Sequence, residues 1–156
     1  VLKWSDGLME THHLVRNVRK ATLEQETLSR MHHNEAKKWS AKEGERARKI
    51  EAYHRSMSGQ DDDVEWIEEN IRLISIHDSS IAAVVIENAL NLNDNQKLRS
   101  DAALLALDRG ETRIAQIHIA KMNHSPSKKL FESRLARMDG RISDAQRLEE
   151  EPKPTC

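Results

Sequence analysis

Cysteine is nearly absent. The single Cys156 is the last residue of the 156-residue chain, so neither an internal disulfide nor a cysteine zinc site can form. That usage suits a reducing compartment. Aromatic residues are also scarce, being only Trp4, Trp39, Tyr53, Trp66 and Phe131, which argues against a stacking platform for single-stranded nucleic acid. Five scattered glycines cannot build a phosphate-cradling loop, and no serine stands in a Gly-x-Ser-x-Gly elbow. The longest uninterrupted apolar run, Ile81 to Ile86, is far too short to span a membrane. Three prolines (126, 152 and 154) leave the first 125 residues without a strong helix breaker.

Charge is what the chain has in plenty. Charged residues make up 33% of it and hydrophobic ones 37%, which predicts an elongated shape or burial against partners. The net charge is −1, yet residues 1–60 carry +4 and residues 61–156 carry −5. Five of the eight histidines lie in the first part. This asymmetry permits docking of one segment on the other, within a chain or between copies.

From residue 8 to 57 an apolar stripe steps by threes and fours through Leu14, Val18, Ala21, Leu28, Ala36, Trp39, Ala47, Ile50 and Met57. It predicts a long, charged, amphipathic helix or arm over 1–58, about 75 Å if unbroken. Gly44 is its weak spot, and a hairpin break near Asn34 is the alternative. Residues 59–63 form the expected linker: Gly59 ends one helix and Asp62 with Glu65 makes a capping-box pattern for the next. Six short helices follow over 64–150. Their boundary signals are Ser79 or Ser80, Asn95, Gly110, Ser125-Pro126 and Gly140. Pro152 and Pro154 stop the last helix, and 151–156 is expected to be a loose tail. The fold class is therefore all-α, a long N-terminal helix followed by an array of three antiparallel helical hairpins.

The hairpins recur about every 30 to 33 residues, marked by Ala82, Ala115 and Ala145, with Gly110 and Gly140 five residues before the last two. Ala103 and Ser133 supply small residues in the first helices, Trp66 an early aromatic, and Ile86 and Ile119 a later bulky position. Over residues 63–150 the pattern resembles tetratricopeptide repeats. It departs from them at Arg99 and Lys129, which replace the early aromatic, and at Pro126, which falls off the expected place. The resemblance implies a concave groove lined by first helices, through Val64, Ile67, Ile71, Ile74, Lys97, Leu104 and Leu107. Its natural occupant is a helix, either the N-terminal one or a partner's. The alternative is that these residues form the core between helices.

Sites for chemistry are poorly supported. Glu10-x-x-His13 and Glu51-x-x-His54 have the spacing of di-iron bundle ligands, with Glu68, Glu69 or Glu87 as additions, but one continuous helix would hold them far apart. His12-His13 and His32-His33 diverge around a helix, so neither pair chelates alone. The basic run Lys37, Lys38, Lys42, Arg46, Arg48, Lys49 and Arg55 is interleaved with Glu35, Glu43, Glu45 and Glu51, the pattern of a solvated helix. No catalytic, cofactor or metal residue is assigned.

The expected function is nonenzymatic: protein–protein interaction, or a structural subunit of a larger assembly such as a virion or multiprotein complex. A protein partner or a second copy is expected, without a membrane. The expected setting is the cytoplasm or a particle assembled inside a cell. Contact residues expected are Leu14, Val18, Leu28, Trp39 and Ile50 on the long helix, and Ile67, Ile71, Ile74, Leu104 and Leu107 in the groove. A nucleic-acid adaptor and a di-metal carboxylate protein are the alternatives.

Overall fold

The computed structural model describes residues 25–150. Every regular element among them is an α-helix. In order these are α1 (25–40), α2 (Glu45–Ser58), α3 (Asp61–His77), α4 (Ser79–Leu92), α5 (Gln96–Asp108), α6 (Thr112–Lys121), α7 (Pro126–Met138) and α8 (Ile142–Glu150).

The single helix expected over 8–57 is not continuous. Its described part is two helices divided by residues 41–44, and residues 8–24 lie outside the described residues. The break comes at Gly44, whose φ of 104° and ψ of 163° fall in a region essentially reserved for glycine. After it the chain reverses: Ser29 of α1 donates a hydrogen bond to the Ser58 carbonyl, and His32 meets His54. Thus α1 and α2 run in opposite directions, with the reversal ten residues beyond Asn34.

The connection between α2 and α3 is shorter than the expected linker, only Gly59 and Gln60. Gln60 is the N-cap of α3 and makes no side-chain cap, so the Asp62–Glu65 capping box does not form. Three aspartates in the first turn still favour the positive helix end. Asp78, rather than Ser79 or Ser80, caps α4 by accepting from the Ile81 amide. Asn95 caps α5 and Ser125 caps α7 as their positions suggest. After α5, Gly110 donates to the Leu107 carbonyl and Glu111 to that of Ala106, the paired bonds of a Schellman stop. Gly140 and Arg141 repeat it after α7.

Two apolar clusters form the core. The first joins Ala52 of α2 with Ile67, Ile71 and Ile74 of α3, Ala82, Val85 and Ile86 of α4, and Leu98, Ala102 and Leu105 of α5. The second joins Ala103, Ala106 and Leu107 of α5 with Ala115 and Ile119 of α6 and Phe131 and Leu135 of α7. Opposite sides of α5 therefore feed both clusters, and its interior is buried nearly all round. Ala82, Ala115 and Ala145 are fully buried, as close helix approach requires. Neighbours in sequence pack together (α3 with α4, α5 with α6, α7 with α8), and so do α2 with α4, α3 with α5 and α5 with α7.

Polar ties repeat that spacing. His33–Asp63 joins α1 to α3, and Asn88–Ser56 joins α4 to α2. Lys97–Glu68 and Arg72–Asp101 join α3 to α5, and His118–Glu87 joins α6 to α4. Each spans 29 to 32 residues.

Candidate functional site

The densest polar cluster sits where α1, α2 and α3 meet. Asp63, in the first turn of α3, is completely buried. Burial of a carboxylate is costly unless it is paired and hydrogen-bonded. Here the Arg55 guanidinium donates from Nη1 to Asp63 Oδ1 at 2.6 Å, while its Nε and Nη2 donate to Glu51 Oε1 at 2.8 and 2.7 Å. His33 Nδ1 of α1 donates to Asp63 Oδ2 at 2.8 Å, and the Ser58 hydroxyl donates to the same oxygen. The face of Arg55 lies 4.8 Å from the Trp66 ring centre, a cation–π contact. The junction thus fixes where α1 lies against the start of α3.

Beside it lies an aromatic and imidazole group. The Nδ1 atoms of His32 and His54 are 2.9 Å apart, and Tyr53 meets both rings edge-on. The His32 imidazole is held below its usual range, first by burial and then by the neighbouring His54.

These contacts engage the residues considered for chemistry. Glu51 and His54 share a helix but serve different partners, Arg55 and His32. Glu68 accepts from Asn95 and Lys97, and Glu87 pairs with His118. Among the described residues no group of three or more His, Cys, Asp or Glu side chains is placed to hold a metal ion. Glu10, His12 and His13 lie outside the described residues. The basic run is also divided. Arg55 is engaged in the junction and largely buried, Lys38 pairs with Glu35, Lys49 with Glu45 and Asp78, and Lys42 stacks over Trp39 at 3.8 Å. Lys37, Arg46 and Arg48 are left as exposed cations.

The expected contact residues fall into separate groups. Leu14 and Val18 lie outside the described residues. Leu28 is 46% exposed, and Trp39 and Ile50 are half-buried. Ile67, Ile71, Ile74 and Leu107 are core residues, at most 2% exposed, and Leu104 is partly buried against the second cluster. Ile67, Ile71, Ile74 and Leu107 are therefore occupied by packing between helices, which is the core alternative to an open groove.

Other apolar side chains are left outward. Ile76 on α3 is 79% exposed, and Leu73 on the same helix, Val84 on α4, Ile114 and Ile117 on α6, and Leu130 on α7 are exposed as well. Val84 and Ile117 hold equivalent places in the repeat, two residues after Ala82 and Ala115. Two open clefts accompany them. One, of about 240 Å³, lies between Gly44, Arg48, Lys49, Ile74 and His77; the other, of about 280 Å³, lies between Ile119, Ala120, Leu135, Ala136, Arg141 and Leu148. Both are smaller than the 300–1,000 Å³ or so usual for small-molecule sites. No described helix is long and apolar enough to cross a membrane.

Sequence reasoning missed the Arg55–Asp63 junction and the outward isoleucines. Glu51 and Arg55 at i, i+4 was a local signal for the former, but the role of Asp63 depends on the return of α1. Compared with protein-family models, curated proteins and solved structures, the chain matches none of them.

Proposed function

We propose that this chain is a nonenzymatic interaction protein, built as stacked helical hairpins and used as a subunit of a larger assembly. The hairpins are α1–α2, α3–α4, α5–α6 and α7–α8, one unit more than the repeat in the sequence marks. Polar ties that each join residues 29 to 32 positions apart support that stacking. The resemblance to tetratricopeptide repeats belongs to this proposal, with the partner held on outward faces rather than in the groove first expected.

One observation carries the functional reading. Leu73, Ile76, Val84, Ile114 and Ile117 stand exposed on helices whose other faces already fill the core. Gathered into one patch, large apolar side chains of this kind are what a protein partner buries. The partner is a protein or a second copy of the chain.

Light scattering and sedimentation of the full chain at micromolar concentration test this. The expected result is a concentration-dependent oligomer, or a stable complex with a co-purifying protein that Ile76→Glu or Ile117→Glu weakens at least tenfold. A compact monomer, with neither substitution altering any association, refutes the proposal.

A further inference from the structure

The contact between His32 and His54 crosses the α1–α2 seam. Its Nδ1 atoms are 2.9 Å apart, while the ring centroids are 5.1 Å apart with the planes inclined at 37°. The centroid separation exceeds the nitrogen separation by about the width of one ring. The two nitrogens therefore point at each other. That is the geometry of one N–H donating to one lone pair. It does not suit a chelated metal ion, whose ligand lone pairs converge on the ion.

Such a bond counts protons. With both rings neutral, one carries its proton on Nδ1 and the other on Nε2. One added proton keeps the bond, since an imidazolium Nδ1–H still donates to the neutral partner. A second added proton sets two N–H groups and two positive charges face to face, and attraction becomes repulsion.

We infer that His32 and His54 form an acid-operated latch, which holds α1 on α2 while the pair shares a proton and releases it when both rings are charged.

The surrounding groups define how sharply it acts. On α1, Glu35 lies one turn beyond His32. Its carboxyl is held below the usual range chiefly by Lys38, with His54 adding to the effect, so it supplies only a shared counter-charge. On α2, Tyr53 supplies an aromatic edge to both rings, and Arg55 is committed to Glu51 and Asp63. From α3, Asp63 accepts from His33, the residue next to His32. That tie tolerates a charged imidazole and so opposes release. The sign follows from His32: a depressed folded-state value means its contribution to stability is full above about 6.5 and is lost as pH falls through the folded value.

The experiment uses the full chain from about pH 7.5 to about pH 5, following imidazole nitrogen shifts by NMR and amide exchange of α1 corrected for its intrinsic pH dependence. The His32 imidazole is expected to titrate below 6.5. Between about 6.5 and the folded His32 step the opening of α1 is expected to rise by up to about tenfold per pH unit, levelling off below that step. His32→Gln, which cannot take the proton, removes the rise, and His33→Gln leaves it in place. The inference is overturned if His32 titrates at or above 6.5, or if α1 protection is equal at both ends of the range. It is also overturned if the rise survives in both His32→Gln and His54→Gln. The wild-type titration alone decides the matter should a variant fail to fold.

Discussion

Replacing Arg55 with methionine tests the junction that ties α1, α2 and α3. Methionine keeps much of the aliphatic stem over Trp66 and deletes the guanidinium. Two carboxylates then lose their cation: Asp63, with no exposed side-chain surface, and Glu51, with 10%. Breaking a buried pair from one side costs about 3–5 kcal/mol, because the remaining charge is stranded. Asp63 would retain its bonds from Ser58 and His33, which sets the expectation at the lower end, about 3 kcal/mol. For a chain of this size that corresponds to a fall in Tm of about 6–12 °C. Urea unfolding followed by circular dichroism measures it, with an unchanged m-value expected. Adding Asp63→Asn removes the stranded charge, so the double variant should recover part of the loss. A loss below about 1 kcal/mol, the value of a solvent-screened surface pair, would refute the claim that this network is desolvated.

Gly44→Ala places a side chain at a φ of 104°, and is expected to cost about 1–3 kcal/mol in urea unfolding; an unchanged midpoint would show that the turn relaxes freely. Asp101 offers a test of pH dependence. Burial raises its carboxyl above the usual range of 3.8 and Arg72 only partly offsets this, so its contribution to stability is full below that value and fades as pH rises through the folded one. Asp101→Asn should therefore raise the urea midpoint at pH 7 and lose that advantage toward pH 4; no gain at pH 7 would contradict it. Phe131→Ala removes a core side chain of the second cluster and should cost about 3–5 kcal/mol by the same assay. A loss near zero would place Phe131 outside any packed core.

Local signals made much of the helix layout legible. Asn95, Ser125-Pro126, Gly110 and Gly140 each act on backbone groups within one turn, and each lies where its chemistry predicts. The turn at 41–44 was hidden for a physical reason. The stripe passes from Trp39 through Glu43 to Ala47 without losing helical phase, so periodicity cannot detect the reversal, and only Gly44 marks it. Asp63 reads locally as one of three helix-starting aspartates. Its burial is set by Arg55 and by His33, and the second of these reaches it only because α1 folds back. The apolar faces of α3 and α5 were visible as faces. Which side of each meets another helix is a property of the packing. Hence Ile67, Ile71 and Leu107 are core residues, while Leu73 and Ile76 are left outside.

The reach of the polar ties also bears on how the chain folds. The side-chain bonds from His33–Asp63 to His118–Glu87 connect residues no more than 32 positions apart. A topology whose contacts stay that local demands little loop-closure entropy, which favours rapid folding by propagation from whichever segment orders first. Since α5 feeds both apolar clusters, once ordered it offers a docking face to each side of the growing structure.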